Sequence, residues 1–105
     1  MFPNPSLLNL SSAMARHAGH VHEVTGSNIA RADMPGATAS EAAGFAEALR
    51  ALSEGEAVSA REGRAPISLD EELVRMAQNA TRHDMAVTVW SRTLDMVRMA
   101  GASPR

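Results

Sequence analysis

The sequence has no cysteine and no tyrosine, and only three aromatic residues among its 105: Phe2, Phe45 and Trp90. Without cysteine there is no disulfide framework, no thiolate nucleophile and no cysteine-based zinc site. Aromatic side chains carry the largest burial per residue, so a compact globular core is poorly supplied. No run of 18 apolar residues is present, which excludes a membrane-spanning helix. Charge of one sign is also scarce. The net charge is −2 with acids and bases interspersed, and the basic stripe of a nucleic-acid binder is missing. Arg16, Arg31, Arg75, Arg82, Arg92 and Arg98 are spread singly, as for solvated faces or salt bridges between subunits. The N-terminus lacks a basic segment, and Asn9, Ser11 and Ser12 interrupt its short apolar stretch, so it does not read as a cleavable secretory signal. A single arginine, Arg16, sets it apart from transit peptides.

What the chain does have is Ala, Met, Leu and Val, residues that favour helices and adaptable helix contacts. They fall into two heptad stripes. Leu69, Leu73, Met76, Ala80, His83, Val87, Trp90, Leu94 and Val97 recur at alternating spacings of 4 and 3. Leu7, Leu10, Met14, His17, Val21, Val24 and Asn28 do the same near the N-terminus. Such a repeat keeps one narrow seam turned toward a partner helix. The expected fold is all-α: an extended, antiparallel, coiled-coil-like pair of long N- and C-terminal helices, with a short middle helix and a flexible loop, in one domain.

The boundaries follow from local chemistry. Pro3 and Pro5 predict an extended start, and Ser6 a cap for a helix over about 6–32. Gly19 and Gly26 each cost that helix roughly 1 kcal/mol against Ala, and suit close approach of a neighbouring backbone. Asp33, Met34, Pro35 and Gly36 end it in a turn of type II, followed by a polar link to residue 39. Ser40 is a cap for a shorter helix over about 41–53, with Phe45, Leu49 and Leu52 on one face, closed by Gly55. Residues 54–67, polar and Gly-bearing, predict an exposed loop. Ser68 and Glu71 form a capping box, and Asp70, Glu71 and Glu72 place negative charge at the start of a helix over about 68–100. Gly101 stops it, with Pro104 beyond.

That last helix would be about 48 Å long. A compact domain of this size would be only about 26 Å across, taken as twice the expected radius of gyration. Met85, Val89, Met96 and Ala100 add a second apolar line on another of its faces. A helix apolar on two sides is normally buried on two sides, and one chain cannot cover both.

Candidates for chemistry are few. His17, His20 and His22 stand at spacings of 3 and 2, without the i, i+4 pair of a helical zinc site, and Glu23 is the only close carboxylate. His17 and His83 are expected as seam residues, His83 bonded to a neighbouring chain or water, and His20 and His22 as polar helix surface. His83-Asp84 with Ser91 lacks a nucleophile elbow and an oxyanion-hole loop. No catalytic, cofactor or metal site is expected.

One stretch carries a resemblance. Ser27-Asn28-Ile29-Ala30-Arg31-Ala32-Asp33-Met34-Pro35-Gly36 resembles the signature of bacterial flagellar rod and hook proteins, Ala-Asn-Ile-Ala-Asn-Ala-Asp-Thr-Pro-Gly-Tyr. It matches at Asn28, Ile29, Ala30, Ala32, Asp33, Pro35 and Gly36, and departs at Arg31, Met34 and Ala37. Length, Phe45 and Leu49, and then Glu72 and Asn79 are similar to the small proximal-rod members, with His83 where those have Tyr. The resemblance implies a structural subunit of the flagellar basal-body rod. Such a subunit is exported unfolded by the flagellar type III apparatus without signal cleavage. It polymerises in the periplasm with copies of itself and other rod subunits, and meets the export apparatus and a basal-body adaptor protein. Another rod subunit, a soluble helical adaptor or chaperone binding one partner helix, and a histidine metal-binding protein are the alternatives.

Overall fold

A computed structural model describes residues 5–101 in the order α1 (Pro5–Ala30), β1 (Thr38–Glu41), α2 (Phe45–Ser53), β2 (Arg61–Pro66) and α3 (Leu69–Gly101). The expected extended segment before Pro5, and Pro104, lie outside the described residues. Pro5 itself opens α1, a position where its missing N–H costs nothing. The long axis is 67 Å and the radius of gyration 17.4 Å, against about 13 Å for a compact chain of this length. This is a rod-shaped molecule with two long helices side by side.

α1 and α3 run in opposite directions. Asn28 near the end of α1 meets Glu72 near the start of α3, and Ala18 meets Asn79 further along. Ser68 caps α3, accepting the Glu71 N–H at 3.3 Å on its hydroxyl while its carbonyl accepts the Glu72 N–H. α1 tightens before it stops. The Arg31 N–H is shared between the Ser27 and Asn28 carbonyls, and the Ala32 N–H reaches Ile29. The Ala37 N–H then closes on the Met34 carbonyl around Pro35 and Gly36, with Gly36 at φ 76°, as the third residue of a type II turn requires.

The fold is not purely helical. β1 takes the end of the expected polar link together with Ser40 and Glu41, expected as the cap and first residue of the short helix, so α2 starts only at Phe45, after Gly44. β2 takes part of the expected loop and pairs antiparallel with β1. Thr38 faces Pro66 and Ser40 faces Glu62, so Ala39 stands opposite a three-residue bulge, Gly63, Arg64 and Ala65. Arg-Glu-Gly-Arg-Ala-Pro has no apolar alternation and no β-branched residue, so it carries no strand signal of its own. The strand forms because the chain can come very close at Gly63, where an added Cβ would collide with the Ala39 carbonyl. Gly63→Ala is therefore expected to break the β1–β2 pairing while leaving both long helices. Amide exchange would show lost protection over residues 38–41 and 61–66 with unchanged helical circular dichroism. Unchanged protection there would contradict it.

Within this chain nothing beyond the adjoining turns of α1 lies within 4 Å of a Cβ built at Gly19 or Gly26, so the close approach expected there in an assembly has room.

Candidate functional site: an assembly surface and its anchor

The line buried between the long helices is made of small and polar residues. In α3 it is Glu72, Asn79, Ala86 and Thr93, each seven positions from the last. In α1 it includes Ser11, Ala18 and Thr25, again seven apart, together with Asn28. Small side chains let two helix axes come close, because the spacing between helices follows the size of the residues at the contact. Ala86 is completely buried. Two hydroxyls along this line are satisfied within their own helices: Ser11 donates to the Leu8 carbonyl and Thr93 to the Val89 carbonyl. No described buried side-chain polar atom lacks a partner.

This corrects the expected seam. The stripes of Leu7, Leu10, Met14, Val21 and Val24, and of Leu69, Leu73, Met76, Ala80, His83, Val87, Trp90, Leu94 and Val97, are not the line on which the two helices meet. In α3 they lie to one side of it, one position after each buried residue (Leu73, Ala80, Val87, Leu94) or three before it (Leu69, Met76, His83, Trp90). Leu7, Leu10, Met14, Leu69, Leu73, Val87, Trp90 and Val97 are exposed, Leu73 by 50% and Trp90 by 39%. Ala80 and His83 are exposed too; Val21, Met76 and Leu94 are half-buried, and Val24 is buried. The physical reason is that the heptad argument assigns the contact to the largest apolar residues, whereas close approach needs the smallest. The second apolar line is exposed as well, at Met85 (61%), Val89 and Met96. An apolar surface thus follows the rod on either side of a narrow closed seam.

The rotation of the helices is set by a polar node at one end of the pair. Asn28, in the last turn of α1, is 1% exposed. Its Nδ2 donates to the Ser40 carbonyl at 2.9 Å and to Glu72 Oε1 at 2.6 Å. Its Oδ1 accepts the Ser40 N–H at 2.9 Å and Arg31 Nη2 at 2.8 Å. The carboxamide thus satisfies both backbone groups of Ser40, as a neighbouring strand would. Arg31, just after α1, adds a bond to the Thr38 carbonyl at 3.0 Å, so side chains at the end of α1 and beyond it cover the outer edge of β1. Glu72 is equally buried, and its second oxygen accepts Arg75 Nη1 at 2.6 Å. A buried carboxylate is tolerable only when paired and hydrogen-bonded, and here each oxygen has a donor. Its place in the first turn of α3 also suits negative charge. Asn79 supplies a second tie, donating to the Ala18 carbonyl at 2.7 Å.

The signature residues are therefore not one cluster. Asn28 is the central member; Ile29 and Ala32 are half-buried, and Ala30, Asp33, Pro35 and Gly36 lie exposed around the turn. The sequence pattern places Asn28 at the helix end with polar partners but does not identify those partners, Ser40, Glu72 and Arg31, nor Arg75 behind Glu72. The seven-residue spacing of Glu72, Asn79, Ala86 and Thr93 was the available signal.

The histidines also differ from expectation. His17 and His20 do not line a helix seam or lie free on its surface; both bond Ala43, just before α2. His22 and His83 are exposed. Among the described residues no group of three or more His, Cys, Asp or Glu is placed to hold a metal ion, and no helix is long and apolar enough to cross a membrane.

Comparison with family models, with curated proteins and with solved structures gave no match to this chain.

Proposed function

We propose that this chain is a structural subunit of the bacterial flagellar basal-body rod, of the proximal kind, built into a periplasmic drive shaft by lateral packing with copies of itself and with other rod subunits. It would reach the periplasm through the flagellar type III apparatus without signal cleavage. One observation carries the reading: large apolar side chains remain uncovered along both sides of a rod that is closed by small and polar residues. A helix with two uncovered apolar faces is completed by neighbours. Contacts of one face of a copy with a different face of the next extend into a helical tube instead of closing as a dimer. The similarity of residues 27–36 to the rod signature supports the same reading, because Asn28 is the residue on which the turn, the sheet and α3 converge.

The soluble-adaptor reading keeps one observation in its favour. An apolar groove of about 310 Å³ between α1, α2 and α3, lined by Met14, Ala18, Phe45, Asn79 and Met85, has room for part of one partner helix. Sedimentation velocity at rising concentration separates the two. A rod subunit is expected to pass from monomer to species well beyond a dimer. An adaptor stops at a monomer or dimer, and that result would overturn the rod reading.

A further inference from the structure

α2 is weakly held. Of its nine residues only Ala48 is buried, while Leu49 and Leu52 stay exposed. What fastens this part of the chain to α1 is the backbone of Ala43, just before α2, which is 3% exposed. Its carbonyl lies 2.7 Å from His17 Nε2, and its N–H lies 3.0 Å from His20 Nε2. The two imidazoles are one turn apart on α1, with ring centroids separated by 6.4 Å. His17 also meets the ring of Phe45, the first residue of α2, edge-on at 5.6 Å.

Backbone chemistry decides the protonation of both rings. A carbonyl only accepts, so His17 Nε2 carries a proton. A backbone N–H only donates, so His20 Nε2 carries a lone pair, and the proton of its neutral ring is on Nδ1. The two bonds then respond oppositely to acid. The His17 bond survives protonation of its ring. The His20 bond cannot, because an imidazolium has no acceptor nitrogen.

We propose that His17 and His20 form a pH-sensitive latch: it holds the segment through Ala43, with α2, against α1 while His20 is neutral, and releases it when His20 takes up a proton.

The surroundings bear on where this happens. His17, Glu23 and Arg16 on α1 and Glu47 on α2 are the charged or titratable groups near the His20 ring. The segment between α2 and β2 brings only Val58 and Ala60 against it. Burial of the ring, and then the neighbouring His17, hold His20 below the ordinary histidine value, outweighing Glu23 and Glu47, which act the other way. The released or unfolded segment binds the proton more readily than the latched one. The stability from the latch is thus complete above about pH 6.5 and declines as pH falls below it, through the depressed value of the latched ring.

The test is amide hydrogen exchange of Ala43 and α2 by NMR in the full chain. It is run from about pH 7.5 to about pH 5, corrected for intrinsic exchange, at a concentration where the long helices are formed. Protection at Ala43 and in α2 is expected to fall several-fold across that range, with the middle of α3 unchanged. His20→Gln places a non-titrating carbonyl oxygen near the Nε2 position, so protection in that variant should be flat with pH. His20→Lys should lower it even at the upper limit. Nitrogen shifts of the wild-type ring give a reading that needs no variant: His20 should be the Nδ1–H tautomer at about pH 7.5. An Nε2–H tautomer, absent or pH-independent protection of Ala43 in the wild type, or the same fall with pH in His20→Gln would overturn the proposal.

Discussion

Replacing Asn28 by alanine is expected to destabilise the chain by about 3–5 kcal/mol, a substantial part of the roughly 5–15 kcal/mol that holds a domain of this size folded. The loss comes from what the carboxamide leaves behind. Glu72 keeps Arg75 but loses its only other donor, and removing one partner of a buried carboxylate exposes the full cost of its desolvation. The N–H and carbonyl of Ser40 lose their bonds together, and β1 is released from the end of α1. Urea unfolding below the concentration of assembly would show a lower midpoint at unchanged slope. Glu72→Gln should cost less, about 1–2 kcal/mol, because its amide oxygen still accepts from Asn28. The double substitution Asn28→Ala, Glu72→Gln should be milder than the sum of the two singles, because the buried charge is then gone. A loss under about 1 kcal/mol in Asn28→Ala would mean that the node is not what sets the helix pair.

Trp90→Asp should have the opposite profile, with folding kept and assembly lost. Trp90 is 39% exposed and borders a shallow crevice with Ser12, Ala15 and Arg16 of α1 and Val87 of α3. A carboxylate at this position reaches water in the single chain, so helical content should hold. Between subunits the same position would be enclosed. Each well-buried apolar side chain contributes roughly 1.5–3 kcal/mol, and an unpaired charge there adds its desolvation. A combined loss near 4 kcal/mol per contact is about a thousandfold in association. Sedimentation should show only small species for the variant. In a flagellated host that depends on this chain, swimming should be lost while the chain is still exported. Normal swimming, or unchanged sedimentation, would remove the stripes from the assembly surface.

Much of the architecture can be read from the residues, for identifiable reasons. The two long helices follow from periodicities sustained over many turns, and α3 begins one residue after its cap, Ser68. The turn at Pro35 and Gly36 follows from backbone preferences that no distant contact overrides. The helix pair is harder, because each helix offers two adjacent lines seven residues apart. Leu73, Val87 and Leu94 announce one by size. Glu72, Asn79, Ala86 and Thr93 occupy the other, and size gives no hint of it. Only the partners of Asn28 and Asn79 across the pair select between them. β2 is hidden for a related reason: its pairing depends on the space at Gly63 and on β1, itself held by Asn28 and Arg31, not on the propensity of Arg61–Pro66. The pairing of His17 and His20 with Ala43 is likewise a matter of tertiary placement.

The hydrogen bonds described between α1 and α3, Asn28 to Glu72 and Asn79 to Ala18, both avoid the end where the chain starts and finishes. At that end Ser11 and Thr93 turn their hydroxyls back onto their own helices. The molecule is thus built like a pair of tweezers, tied by side-chain hydrogen bonds toward the closed end and closed at the tips by the packing of Ser11 and Thr93. A load that separates the tips would meet packing first and the Asn28–Glu72 tie last.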